Sequence, residues 1–248
     1  MSAADRYFAE LQGRFAGLAE RQREAIREAG ELGARALVER RPLHIHDTGH
    51  LVNHELIART GGLAAFTALT FGATVERENE WIADTRGAAG SAEDSARALV
   101  DWLFLQGTVV AGDVLFLSSV SGTNVLVVEL ARQARRRGVS VIALTGAEFS
   151  AGLAAQHSSG TRLFENADVV LDEEVPRGDA FLTVDGLESA VVPWSGISAA
   201  ALMWAVTAEI IEGCARAGLP PTVYTSVNLP GGREAYARTG ADSRELGR

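Results

Sequence analysis

Cysteine is nearly absent from this chain. Cys214 is the only one in 248 residues, so no internal disulfide can form, and a reducing compartment such as the cytoplasm suits the protein. Cys214 lies in an apolar helical stretch and reads as core. Basic residues are the minority: 23 Lys and Arg stand against 32 Asp and Glu, for a formal net charge of −9, so the footprint of a nucleic-acid binder is missing. No window approaches the roughly 18 uncharged apolar residues that cross a bilayer, so no membrane partner is expected. The charged N-terminus, Met1 to Glu31, lacks the apolar centre of a signal peptide. Cys/His metal clusters are missing too. His44, His46, His50 and His54 crowd together, but the first pair falls in an expected strand that puts both on one face, and no third ligand is apparent. No cofactor and no metal are expected.

What is present is enough apolar material, 47% of the chain, for one large α/β domain over residues 1–248. Residues 1–40 form a helical arm on a core of 41–248. In the arm, Phe8, Leu11, Phe15, Leu18, Ala25, Ala29, Leu32 and Ala36 recur near helical spacing, and Gly30 and Gly33 allow a bend. Leu43 to Asp47 follows Pro42 as a short strand. A helix from about His50 to Arg59 and a strand over Leu63 to Leu69 come next. Residues 72–90 read as an irregular loop. Ser91, with Asp94 three residues on, opens a helix through Leu105. Strands at Val114–Leu117, Val139–Leu144 and Asp168–Asp172 flank a helix over 123–137 that stops at Gly138, and a last helix spans about Ser198 to Ala217. Strands alternate with helices and several are wholly apolar, which predicts a parallel sheet covered on both faces. Ligands of such sheets bind at the carboxyl ends of the strands.

The segment Val114 to Val125 is the most informative. An apolar strand ends in Ser118, Ser119, Ser121, Gly122 and Thr123, and an amphipathic helix begins. A helix start carries unpaired N–H groups and the positive end of the peptide dipoles, so it suits an anion. Gly122 removes a side chain that would hold a phosphate off the backbone. The loop has no Lys or Arg, which favours a small sugar phosphate held by directional hydrogen bonds over a nucleotide triphosphate held with a metal. The alternative is a serine-rich turn that only caps the helix, with Ser121 or Thr123 as the cap.

Ser119-Val-Ser121-Gly122-Thr-Asn124 resembles the phosphosugar signature Ser-x-Ser-Gly-x-Ser/Thr of sugar isomerase (SIS) domains, apart from its last position. Asp47-Thr-Gly-His50 and Gly138 to Thr145 agree with that family. Arg59 to Leu63, His157 to Leu163, Gly178-Asp-Ala180 and Pro221 to Asn228 are similar to a bacterial branch of it provisionally described as phosphosugar or phosphoheptose isomerases. The resemblance implies a flavodoxin-like fold with a five-stranded parallel sheet, a homodimer or tetramer, and a sugar-phosphate ligand. Thr48, Gly49, Ser118, Ser119, Ser121, Gly122, Thr123, Asn124 and Ser195 are the binding candidates. Asn124 in place of a hydroxyl residue alters one phosphate contact, and Leu51 stands where the family often has a hydroxyl.

Aldose–ketose isomerisation through an enediol needs a base between C1 and C2 and an acid at oxygen. Glu55, on the helix after the first strand, is the first candidate base, since the wider family uses a glutamate on the comparable helix; a solvent-facing glutamate is the alternative. His50 and His54 share a helix face, and His50 is the better acid. His157 heads a loop, Ser158-Ser159-Gly160, and would act across a subunit contact. Glu209, a carboxylate among apolar neighbours, is a second base. Ser195 either donates to sugar hydroxyls or caps the last helix, and Trp194 either stacks on a sugar or fills the core. Asp179 and Asn228 match the bacterial branch without an assigned role. Two other readings remain: a non-catalytic sugar-phosphate sensor, and a lyase or etherase on an amino-sugar phosphate.

Overall fold

The computed structural model describes residues 1–48, 52–71 and 90–247. Five parallel strands form its central sheet in the order β2-β1-β3-β4-β5: β1 (Leu43–Asp47), β2 (Phe66–Ala68), β3 (Val114–Ser118), β4 (Ser140–Thr145) and β5 (Val169–Asp172). The chain adds β2 on one side of β1 and β3 on the other, so the strand order reverses between β1 and β3. Such a reversal leaves a crevice at the carboxyl ends, because the connections leave on opposite faces.

Strand alternation sorts the side chains. Leu43, Ile45, Val114, Phe116, Ile142, Leu144, Val169 and Leu171 face α1 (Ala3–Arg21), α2 (Arg23–Val38), α3 (Val52–Leu56) and α7 (Ser195–Arg216). Leu115, Leu117, Val141 and Ala143 face α4 (Ala92–Leu105) and α5 (Val125–Arg136). All five residues of β3 are buried, as expected of a central parallel strand. His44 and His46 share the second face, as the alternation predicts. Each is buried and bonded there, His44 to Asp113 at 3.3 Å and His46 to the Leu69 carbonyl at 2.9 Å. Burial holds both imidazoles below their ordinary pKa, so they sit as neutral core groups.

Several boundaries differ from the sequence reading. The helix expected over 50–59 is described only as α3, and the second strand is shorter than 63–69; Leu63 instead bridges Val223. Residues 72–89 of the expected loop lie outside the described residues. Ser91 and Asp94 do form a reciprocal cap on α4, with the Asp94 N–H donating to Ser91 Oγ at 3.1 Å. The last helix begins at Ser195 rather than 198. A short antiparallel pair, β6 (Ala180–Leu182) with β7 (Val191–Pro193), and a further helix, α8 (Gly232–Leu246), were not anticipated. Helix α8 is too polar to show a clear period. It docks through Tyr236, whose hydroxyl donates to the Ala58 carbonyl at 2.8 Å and whose ring stacks on Tyr224. Between it and α6 (Ala147–Ala151), α7 is the longest apolar element. Its mean hydropathy reaches 1.4 over an 18-residue window, which corrects the expectation that no window comes near the length and composition of a membrane span. In the fold it is a core helix, burying Leu202, Met203, Val206 and Ile210 against the sheet and α2.

Glycines let α2 and α7 approach closely. A methyl group on Gly213 would lie 2.6 Å from Ala34 Cβ, and one on Gly33 2.6 Å from Ile210 Cδ1. Gly13 in α1 has nothing within 4 Å of the same position. Glycine costs a helix up to about 1 kcal/mol relative to alanine, so propensity alone favours alanine at both. Overpacking of about 1–3 kcal/mol opposes it at Gly213. Gly13→Ala is therefore expected to raise stability in urea denaturation by about 0.5–1 kcal/mol, and Gly213→Ala to lower it by about 1–2 kcal/mol. Equal shifts of one sign would contradict the close α2–α7 contact.

Candidate functional site

The carboxyl ends of β1 and β3 stand side by side, with Asp47 in register with Ser118. The Thr48 N–H and hydroxyl both donate to the Ser118 carbonyl at 3.2 Å, pinning the start of one loop to the start of the other. After β3 the chain turns sharply. The Ser119 N–H donates to the Leu144 carbonyl and the Gly122 N–H to the Ser119 carbonyl, both at 3.0 Å. Gly122 adopts φ +59°, and a methyl group there would lie 2.9 Å from Ser150 Oγ and 3.0 Å from Thr145 Oγ1. Glycine is required on both counts. Its carbonyl accepts from the Leu163 N–H at 2.8 Å, which ties the 153–163 loop against the turn.

The cap of α5 is Asn124, not Ser121 or Thr123. Its Oδ1 accepts from the N–H groups of Leu126 and Val127 at 3.0 and 3.3 Å. Two of the helix's open donors are thus occupied. Ser121 Oγ and Thr123 Oγ1 lie 3.2 Å apart and form a paired hydroxyl lip above the helix start. Ser118, Ser119 and Thr123 are buried, while Ser121 is partly open. The loop therefore offers hydroxyls, together with the Ser121, Thr123 and Asn124 N–H groups, which have no acceptor among the described residues. The Gly122 N–H is already spent, so Gly122 contributes shape rather than a donor.

The catalytic candidates are dispersed. Glu55, on α3, is half-buried and takes a 3.0 Å hydrogen bond from Arg59 one turn on. His54 is exposed. Gly49 and His50 lie outside the described residues. Glu209 packs its Cβ against Gly30 of α2, within the helix–helix contact. His157 is buried within its own chain. Its Nδ1 accepts from the Ser159 N–H at 3.1 Å, and its Nε2 lies 3.0 Å from Glu129 Oε2, the geometry of a donated N–H. Burial would raise the Glu129 carboxyl, but hydrogen bonds from Gln133 and His157 and the nearby charges outweigh it and hold it below the usual range. Glu93 joins the cluster by accepting from the Ser158 N–H at 2.9 Å. This set clamps the 153–163 loop onto α4 and α5.

The start of α7 is organised by Asp179. Its Oδ1 accepts from the Trp194 and Ser195 N–H groups at 3.1 and 2.8 Å, and its Oδ2 takes the Ser195 hydroxyl at 2.7 Å. A carboxylate at a helix N-terminus is favoured by the peptide dipoles. The Ser195 hydroxyl hydrogen is thereby committed. Trp194 is core: it is 1% exposed, packs on Phe15 and donates its indole N–H to the Glu173 carbonyl at 2.7 Å.

Two carboxyl groups at this edge were missed. Glu173 follows β5 and is fully buried, and neither of its oxygens has a hydrogen-bond partner. Burial, then the charges of Asp179, Asp172 and Asp47, push it well above the usual carboxylate range. Asp47 also has one buried oxygen, Oδ1, without a partner. Strand alternation could have flagged Glu173, because it continues the face of Val169 and Leu171. Composition alone does not separate it from its acidic neighbours Asp172 and Glu174; Glu174 turns outward to Arg21 and Gln22. Glu129 sits among Val127, Val128, Leu130 and Ala131, the same signal that singled out Glu209.

The chain belongs to the SIS domain family, whose profile matches residues 6–146. Among curated proteins it is similar to UPF0309 protein SCO4393 of Streptomyces coelicolor, 35% identical over 217 residues covering 87% of this chain and 84% of the relative. A UPF0309 protein of Brucella anthropi is 34% identical over 232 residues, covering 93% and 91%. Among solved structures, phosphoheptose isomerase GmhA from Neisseria gonorrhoeae shares the fold with a TM-score of 0.50 at 19% identity, covering 86% of this chain and 97% of that one.

The raised Glu173 carboxyl makes a stability prediction. Below the unfolded-state value of about 4.5 it is protonated folded and unfolded alike and adds no pH dependence. As pH rises above that, the unfolded chain ionises first, and the folded state loses stability until Glu173 itself ionises. Glu173→Gln removes this dependence. Its advantage over the parent in urea denaturation is expected to be larger at pH 8 than at pH 5, and a gap equal at both would refute a neutral Glu173.

Proposed function

We propose that this protein binds a sugar phosphate at the β1–β3 crevice and interconverts its aldose and ketose forms through an enediol. The observation that carries the reading is the 119–124 loop. A neutral, hydroxyl-lined turn at the N-terminus of α5 opens at the carboxyl edge of the sheet, where strand order reverses. Phosphate oxygens would accept from Ser119, Ser121 and Thr123 and from the loop N–H groups, with the helix dipole favouring the charge. Family membership supports the same ligand class. Glu55 is the proposed base, on the helix that follows β1, with His50 or His157 as the acid; Thr48 and Gly49 would meet the sugar end, and Ser195, whose hydroxyl hydrogen is held by Asp179, would do so only as an acceptor. A dimer or larger homo-oligomer is proposed with it.

A second reading, a sensor without turnover, is favoured by one observation. Glu55 is tied to Arg59, and the stem of Glu209 packs on Gly30 of α2, away from the 119–124 loop in sequence and on a different helix contact.

One experiment separates them. Thermal shift against fructose 6-phosphate, ribose 5-phosphate and sedoheptulose 7-phosphate is run on the parent, Ser121→Ala and Glu55→Gln, and each binder is then assayed for isomerisation by NMR. At about 100-fold saturation a ligand adds roughly 2.7 kcal/mol of stability. Ser121→Ala is expected to weaken binding about tenfold by losing a hydrogen bond to a charged group. Glu55→Gln is expected to bind as the parent does and lose turnover by about 100-fold or more. Binding without turnover in the parent selects the sensor, and no shift with any sugar phosphate rejects both.

A further inference from the structure

The crevice between β1 and β3 has two chemically different walls. On the β3 side lie the hydroxyls and N–H groups of the 119–124 loop. On the face covered by α7 lie two carboxyls on opposite sides of β3, Asp47 at the end of the neighbouring β1 and Glu173 farther off beyond β5, as the alternation of Leu43, Ile45 and Asp47 and of Val169, Leu171 and Glu173 requires. Asp47 is in register with Ser118, so it stands one strand spacing, about 4.8 Å, from the base of the phosphate loop. It is only partly buried, yet its Oδ1 is sealed from water without a hydrogen-bond donor among the described residues. No Arg or Lys pairs with either group among those residues; Arg21 is occupied by Glu174. A buried acceptor left unmatched is costly to the fold, which points to a donor that arrives with a ligand.

We propose that Asp47 is the specificity-determining residue of this site, accepting hydrogen bonds from hydroxyl groups of the sugar whose phosphate rests in the 119–124 loop. This rests on the sugar-phosphate reading above and deepens it. The division of charge fixes the ligand's direction: a phosphate is repelled from the carboxyl wall and drawn to the helix start, and a polyol chain supplies the donors Asp47 lacks. Glu173 is farther away and buried, its carboxyl held well above the usual range, while Asp47 is the carboxyl in register with the residue that starts the loop. The site accordingly takes a polyhydroxylated phosphate in preference to bare phosphate.

The test is isothermal titration of the parent, Asp47→Asn and Ser121→Ala with inorganic phosphate, fructose 6-phosphate and sedoheptulose 7-phosphate, with the melting temperature of each variant recorded. The parent is expected to bind a sugar phosphate more tightly than inorganic phosphate. Asp47→Asn, close in shape to the parent residue, should lose about tenfold for that sugar phosphate and stay within about twofold for inorganic phosphate. Ser121→Ala should weaken both probes. The inference is overturned if Asp47→Asn binds the sugar phosphate as the parent does, or if it loses both probes equally. It is overturned as well if the parent binds inorganic phosphate but no sugar phosphate. In the first case the sugar-phosphate reading stands alone; a parent that binds no probe removes that reading together with this one.

Discussion

The pairing of β1 with β3 is the constraint on which the site depends. Its register sets Asp47 opposite Ser118, and Thr48 then locks the two emerging loops together through the Ser118 carbonyl. A slip of one residue would turn Leu43 and Ile45 away from α2 and α7, drive His44 and His46 into that core, and move Asp47 to the wrong face. The hydrophobic pattern of β1 therefore does two jobs. It buries one face, and in doing so it delivers a carboxylate to the crevice.

Around that crevice the fold separates donors from acceptors. The α5 end supplies hydroxyls and a helix N-terminus, where Asn124 satisfies the N–H groups of Leu126 and Val127. The α7 end uses a comparable device with the opposite result. Asp179 takes up the Trp194 and Ser195 donors, so that helix start is already neutralised by an internal anion and has little left to offer a ligand. Of these two helix starts, that of α7 is filled by Asp179, while that of α5 keeps loop N–H groups without an acceptor among the described residues.

Several buried histidines and acids have partners, whereas Asp47 and Glu173, at the carboxyl edge of the sheet, carry buried oxygens with none among the described residues. His44, His46, His157 and Glu129 each have a partner at 3.3 Å or less and serve to order loops and strands. Glu173 avoids the worst cost of burial by staying protonated, but its oxygens still face no donor. Other buried atoms also lack a partner among the described residues, Asn53 Oδ1, Asp113 Oδ1 and Ser150 Oγ among them; Asp47 is the one of these acids set in register with Ser118 at the start of the loop.

Much of the framework was legible in the sequence. Wholly apolar β3, the strand–helix alternation and the Ser91–Asp94 cap follow from local pattern, because burial on both faces and capping are properties of short segments. The hydroxyl loop at a helix start was legible for the same reason, and its family signature with it. Other features depended on partners distant in the chain. Asn124 takes the cap because the turn at Gly122 spends the hydroxyl residues elsewhere. Glu209 and Glu129 look alike as acids in apolar helices, yet one abuts Gly30 and the other meets His157. Helix α8 is held by Tyr236 rather than by an apolar stripe. Periodicity determines which way a side chain points from its own strand or helix. Only the packing of elements far apart in sequence decides what it meets there, and that meeting turned Asp47 and Glu173 from two acids among 32 into carboxyls with unmatched buried oxygens at the carboxyl edge of the sheet.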